Sequence, residues 1–160
     1  MPDLPAFNSA HPDDLRPLLA ECLAVPRWVD AVLAGRPYSD ADALLTAANR
    51  AAEALSDDEV RAALAAHPRI GERATGGGPG AGWSADEQSG VAASARLAAA
   101  NAAYEERFGH LYLVCATGLS GERVLADLTA RLDNPPDVEL RVVNRELARI
   151  AALRLGKVLT

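Results

Sequence analysis

Three polar residues fall on positions where the sequence pattern otherwise places apolar side chains, and their types suit acid–base chemistry. His67 shares a predicted helical face with Val60, and Arg154 lies about 20° from Val143 on the apolar stripe of the last predicted helix. Glu87 points toward the inner face of another predicted helix. Together they would supply a general acid or base, a carboxylate and a guanidinium. Such a set suits a small polar anion whose charge must be held while a proton moves.

Each of these residues also has an ordinary structural explanation. His67 could be a satisfied core histidine, and the C-terminal end of its predicted helix would favour the imidazolium form. Arg154 could extend its guanidinium to solvent from the end of its helix. Glu87 is the third residue after Ser84, where a capping box places a glutamate regardless of chemistry. A carboxylate beside His67 would, however, raise the pKa of the imidazole and fix its orientation. The residues alone leave both interpretations open.

The elements that must position these residues are predicted to be helices. Ala and Leu dominate the apolar residues and only 4% of the chain is aromatic, which favours helix over strand. Capping boxes begin at Ser56 and Ser84, a hydroxyl cap is predicted at Ser39, and Asp137 is predicted to cap the last helix. One strand-like run, 111–115, is too short to build a sheet. The sequence therefore predicts an all-α, bundle-like single domain over residues 1–160, with about seven helices at 14–23, 26–35, 39–55, 56–67, 84–108, 120–132 and 137–158.

Composition and motifs argue against several classes of function. The net charge of −6 and the lack of a basic stripe make nucleic acid an unexpected partner. No apolar run reaches the roughly 18 residues that a membrane span needs, and the N-terminus does not resemble a signal peptide, so we expect a cytoplasmic protein without membrane contact. Cys22 and Cys115 are expected to be small apolar residues rather than a disulfide. His11, His67 and His110 are widely separated and no metal-ligand or nucleotide-binding motif occurs, so neither metal nor cofactor is expected.

Four motifs follow one another in a fixed order along the chain. They are His67-Pro-Arg-Ile-Gly-Glu72, Ser84-Ala-Asp-Glu-Gln88, Asn101-x-x-Tyr104-x-x-Arg-Phe-Gly109 and Arg149-Ile-x-x-Leu-Arg-Leu155. Arg131-Leu132, followed shortly by Glu139-Leu140, fits the same order. This set covers nearly the whole chain and resembles the OHCU decarboxylases, which act on 2-oxo-4-hydroxy-4-carboxy-5-ureidoimidazoline. One departure is His110-Leu-Tyr112, where many members of that family carry Phe-Pro-Phe.

The resemblance implies an all-α homodimer that converts OHCU, a small-molecule substrate, into (S)-allantoin without metal or organic cofactor. It implies that His67 is the central acid or base, that Glu87 partners the histidine and contacts substrate, and that Arg154 holds the anionic or carbonyl oxygens of the substrate. It also implies a larger set of substrate-binding residues: Pro68, Ser84, Ala85, Asp86, Gln88, Tyr112, Leu113, Val114, Cys115 and Ala116.

Other functions would produce much of the same pattern. A catalytically silent homologue or a helical interaction module would show the same Ala- and Leu-rich helices and capping boxes. Neither predicts an arginine centred in an apolar stripe, and a silent homologue would be expected to have lost His67, Glu87 or Arg154. A hydrolase acting on a related ureide, with water activated by His67 and Glu87, is a third alternative.

Overall fold

The computed structural model describes residues 2–70, 82–83, 87 and 95–159, and the regular secondary structure of this part of the chain is entirely helical. Its eight α-helices are α1 (Leu4–Ser9), α2 (Pro12–Cys22), α3 (Pro26–Ala34), α4 (Ala41–Glu53), α5 (Asp57–Leu64), α6 (Ala95–Phe108), α7 (Gly121–Arg131) and α8 (Pro136–Val158). The described residues contain no strand. The predicted all-α class is confirmed, and α1 is a helix that the sequence analysis did not predict.

Local hydrogen bonds explain where α4 and α5 begin. Ser56 and Glu59 form a complete capping box, in which each side chain accepts from the other residue's backbone amide. The prediction of a capping box at this position is confirmed. The cap predicted at Ser39 is wrong, because the Asp40 carboxylate accepts the Ala43 amide at 2.7 Å and so caps α4 instead. The capping box predicted at Ser84 lies outside the described residues.

Three helix ends differ from the sequence-based predictions. Helix α2 begins at Pro12, two residues early, and α8 begins at Pro136, so Asp137 lies in its first turn instead of capping it. Helix α5 ends at Leu64, and the His67 amide then donates to the Leu64 carbonyl at 3.0 Å in a tighter turn. His67 therefore lies in a turn, where the proline that follows it prevents the helix from continuing.

The long helix α8 is the centre of the larger of two apolar clusters. It packs against α2, α4 and α5, and the cluster that these helices share with α3 contains the fully buried Trp28 and Leu155. Trp28 donates its indole N–H to the Ala48 carbonyl at 2.9 Å, so its one polar group is satisfied in the core. Within the described ranges, no helix combines the length and the apolar character that crossing a bilayer requires.

Helices α6 and α7 pack on each other and form the second apolar cluster, which includes Tyr104 and Leu128. Residues 111–116, called here the wall segment, have no regular secondary structure and run where the two clusters meet. Leu113 belongs to the first cluster, whereas Tyr112 and Val114 belong to the second. The wall segment is therefore buried although no helix fixes its course.

Candidate active site

A small cavity lies between the turn after α5 and the wall segment. Eight described residues line it: His67, Pro68, Ile70, Glu87, Tyr112, Leu113, Val114 and Ala116. Its volume is about 20 Å³, which is enough for about one water molecule.

Glu87 is held at the cavity by Arg154, a residue of α8. The Arg154 Nε donates to Glu87 Oε2 at 3.0 Å and Nη2 donates to Oε1 at 2.9 Å. Both side chains are buried, at 7% and 5% exposure for Glu87 and Arg154. Arg154 also donates from Nη1 to the Glu21 carbonyl at 2.9 Å, and its guanidinium carbon lies 5.8 Å from the centre of the Trp83 ring. This two-point pairing fixes the plane of the Glu87 carboxylate and neutralises its charge.

His67 is a neutral imidazole near pH 7. Burial in the site is the main cause and the positive charge of Arg154 the second, and together they lower the pKa of His67 from 6.5 to about 4. The expectation that a neighbouring carboxylate would raise this pKa is wrong, and so is the expectation of an imidazolium at a helix end. Glu87 is engaged with Arg154, and desolvation of the ring outweighs any attraction. A neutral imidazole can accept a proton, which is what a general base must do.

The lowered pKa of His67 predicts a pH-dependent stability. The unfolded chain binds a proton at this residue below 6.5, whereas the folded protein binds it only near 4, so stability is lost as the pH falls through this window. This one residue should lower the free energy of unfolding by up to about 2 kcal/mol between about pH 7 and about pH 5. Urea titrations of the wild type and His67→Gln at both pH values measure it. An equal loss of stability in both proteins would contradict the prediction.

The structure brings together most of the described residues that the sequence suggested. His67 and Glu87 share the cavity, and Arg154 reaches it through Glu87 without lining it. Of the predicted substrate-binding residues, Pro68, Tyr112, Leu113, Val114 and Ala116 line the cavity.

Five predicted substrate-binding residues are not placed at the cavity. Cys115 is half-buried, packs against the larger apolar cluster and is absent from the lining, and it carries a free thiol, as does Cys22. Ser84, Ala85, Asp86 and Gln88 lie outside the described residues, so their role stays a prediction.

Sequence analysis missed two residues at the site. Ile70 lines the cavity, and Trp83 lies beside the Arg154 guanidinium. Ile70 falls three residues after His67 in a conspicuous motif, and Trp83 immediately precedes a predicted capping box, so both positions carried a signal. In the described ranges, no three His, Cys, Asp or Glu side chains come close enough to hold a metal ion. The absence of a cofactor stays a prediction.

The fold and the cavity define an all-helical protein with a buried acid–base site. A neutral imidazole and an arginine-paired carboxylate meet at one small cavity. The model of the OHCU decarboxylase family matches residues 8–156. The chain therefore belongs to the OHCU decarboxylase family.

Individual relatives agree with the family match. The chain is 29% identical over 142 residues to the 2-oxo-4-hydroxy-4-carboxy-5-ureidoimidazoline decarboxylase of Haloferax volcanii, covering 81% of this chain and 80% of the relative. It is 27% identical over 144 residues to the uric acid degradation bifunctional protein TTL of Arabidopsis thaliana, covering 85% of this chain but only 44% of that protein. A crystal structure of OHCU decarboxylase in the presence of (S)-allantoin matches with a TM-score of 0.72 at 21% identity, over 94% of this chain and 99% of the other. At that identity the structural match shows the fold.

Proposed function

We propose that this protein is a carboxy-lyase of urate degradation that converts OHCU into (S)-allantoin and CO₂. The observation that carries the proposal is the neutral His67 at the same cavity as Glu87, whose carboxylate is fixed by Arg154. The activity named for the Haloferax volcanii relative supports it.

The substrate itself makes the reaction possible without an external electron sink. In OHCU the carbon that bears the carboxylate also bears a hydroxyl group and adjoins an imine-like carbon. When the bond to CO₂ breaks, its electron pair forms a double bond to the imine-like carbon. The imine nitrogen then takes up a proton from solvent, which is the one proton that decarboxylation consumes overall. Loss of the hydroxyl proton then yields the carbonyl of allantoin, and a proton is added to the neighbouring carbon that bears the ureido group.

The described residues can serve the proton transfers at the hydroxyl group and at the ureido-bearing carbon. Neutral His67 accepts the hydroxyl proton and returns a proton to the ureido-bearing carbon. Glu87, held by Arg154, offers carboxylate oxygens to the N–H groups of the substrate. Arg154 neutralises Glu87, so the negatively charged substrate does not meet an uncompensated carboxylate in the buried site.

The stereochemistry follows from where the proton donor lies. His67 lines the cavity, and a proton delivered from this single donor reaches one face of the planar intermediate. Uncatalysed decay delivers the proton to either face and gives a racemate. The enzyme should therefore yield one enantiomer, which we assign as (S).

Circular dichroism with freshly made OHCU tests the proposal. Urate oxidase and 5-hydroxyisourate hydrolase generate OHCU from urate in the cuvette, and the protein is added before spontaneous decay is complete. We expect a rapid, protein-dependent rise of the (S)-allantoin signal together with CO₂ release. The blank, in which OHCU decays to a racemate, should show no net signal.

Other outcomes would point to the alternatives. Loss of OHCU without CO₂ release would indicate a hydrolase. Decay no faster than in the blank would indicate a silent homologue or an interaction module, and would refute the proposal.

We also propose a homodimer, as the family resemblance implies, and a cytoplasmic location. Size-exclusion chromatography with light scattering measures the mass in solution, and a value near the monomer mass of 16.8 kDa would contradict the dimer.

A further inference from the structure

Arg131, the last residue of α7, contacts the wall segment at several points. Arg131 is buried, and its Nη1 donates to the Leu113 carbonyl at 2.8 Å and to Asp127 Oδ2 at 3.3 Å. The same Asp127 oxygen accepts the Tyr112 hydroxyl at 2.6 Å. The guanidinium carbon also lies 4.7 Å from the centre of the Tyr112 ring. The Arg131 guanidinium therefore contacts two residues of the cavity lining. It binds Leu113 through the backbone carbonyl, and it contacts Tyr112 through the ring face and through the Asp127 carboxylate that both side chains share.

Arg131 is itself held in place by Glu139 on α8. Its Nε donates to both Glu139 oxygens at 3.2 and 2.9 Å, and Nη2 donates to Oε2 at 2.6 Å. Glu139 is fully buried and also accepts the Tyr104 hydroxyl and, at 3.0 Å, the Asn134 amide. Moving the guanidinium would leave a buried carboxylate without its cation, which is strongly unfavourable. Arg131 therefore has essentially one position.

The wall segment needs such an anchor because it lacks regular secondary structure. No helical or ladder hydrogen bonds set the direction of residues 111–116, although Tyr112, Leu113 and Val114 line the cavity. The Leu113 carbonyl and the Tyr112 hydroxyl are the points at which the Arg131 network contacts this segment.

We propose that Arg131 is a positioning residue, which acts through Tyr112 and Leu113 to hold the cavity wall at the distance from His67 that the reaction requires. This inference rests on the proposed decarboxylation and adds to it the residue that fixes the position of the wall segment. Small displacements of a substrate-positioning surface have large effects on rate, because reacting groups must meet in a narrow range of geometry.

A purely structural role is the competing explanation, because the Arg131–Glu139 pair also ties α7 to α8. Loss of either partner would strongly destabilise the protein and would not separate the two roles. A substitution of Asp127 distinguishes the positioning role of Arg131 from a purely structural role. The Asp127 side chain is 42% exposed, and its removal cuts the link between Arg131 and the Tyr112 hydroxyl while leaving the bonds to Glu139 and to the Leu113 carbonyl.

The test compares Asp127→Ala and Tyr112→Phe with Asp133→Ala. Asp133 is an exposed aspartate six residues beyond Asp127 and is not on the cavity, so it matches the charge change. For Asp127→Ala and Tyr112→Phe we expect kcat/KM for OHCU to fall about tenfold, with the change mainly in kcat and with unfolding midpoints close to wild type. The double variant should lose no more than either single variant, because both remove the same link.

Hydrogen exchange gives a readout that does not depend on activity. Amides of residues 111–116 should exchange faster in Asp127→Ala than in the wild type, while those of α4 and α8 stay unchanged. An inactive wild type would refute the proposed function, and the exchange data alone would then decide whether Arg131 holds the wall. With an active wild type, unchanged kcat/KM in both Asp127→Ala and Tyr112→Phe, or unchanged exchange of the wall segment in Asp127→Ala, would overturn the proposal that Arg131 acts through Tyr112.

Discussion

Replacing His67 by alanine is expected to abolish decarboxylation of OHCU and to leave the helical fold intact. In the described part of the cavity, His67 provides the neutral imidazole, and its loss removes the group that we propose accepts and returns the proton. General acid–base catalysis contributes about 10²- to 10⁴-fold to rate, so the variant should approach the uncatalysed decay. His67 lies in a turn after α5 and not inside a helix, so helix content should not change. The allantoin signal and the far-ultraviolet spectrum of the same sample measure both effects.

His11→Ala is the matched control for this experiment. His11 is exposed and precedes α2, where its ring nitrogen accepts the Asp13 amide at 3.2 Å, away from the cavity. Its replacement should leave the rate of (S)-allantoin formation unchanged. A fully active His67→Ala protein would show that His67 is not the base. A racemic product formed at an accelerated rate would show that His67 sets the face of protonation but not the loss of CO₂.

Periodicity in the sequence predicted some parts of this site for the right physical reason. Arg154 was predicted to lie near the centre of the apolar stripe of the last helix, and in the structure it is 4% exposed while Val143 on the same stripe is fully buried. The regular rise of a helix carries such a prediction over several turns. The position of His67 at the cavity has a different structural cause. Its helix ends at Leu64, so the helical face assigned to His67 does not exist, and the turn that precedes Pro68 directs it to the site.

Contacts between distant segments could not be predicted from spacing. Glu87 and Arg154 are separated by 67 positions, and only the packing of the folded chain shows that they form a two-point pair. The pKa of His67 was predicted in the wrong direction for the same reason. Desolvation depends on how many neighbours surround the ring, a quantity that local sequence does not contain. Arg131 and Glu139 were recognisable in the sequence as parts of a motif. The hydrogen bond from Arg131 to the Leu113 carbonyl could not be predicted, because it depends on the course of a segment without periodicity.

Replacing Arg154 by methionine is expected to cause the largest combined loss of stability and activity. Methionine fills a similar space but leaves the buried Glu87 carboxylate without its cation. Breaking a buried ion pair by removing one partner costs about 3 to 5 kcal/mol of unfolding free energy. The pKa of His67 should rise from about 4, because the positive charge of Arg154, which lowers it, is gone and an unpaired carboxylate lies nearby. Activity should fall strongly, since Glu87 no longer has a fixed plane.

Arg149→Met is the control for Arg154→Met, and Glu87→Gln completes the comparison. Arg149 lies five residues earlier on α8, pairs with Glu146 and is 70% exposed, so its loss should change stability little. Combining Glu87→Gln with Arg154→Met removes both charges and should recover part of the stability. Activity should not recover, because in the proposed mechanism the carboxylate contacts the substrate. Urea titration and an NMR titration of the His67 ring measure these effects. The prediction is contradicted if Arg154→Met and Arg149→Met have the same free energy of unfolding and the pKa of His67 stays near 4 in Arg154→Met. Arg154 would then neither neutralise Glu87 nor lower the pKa of His67.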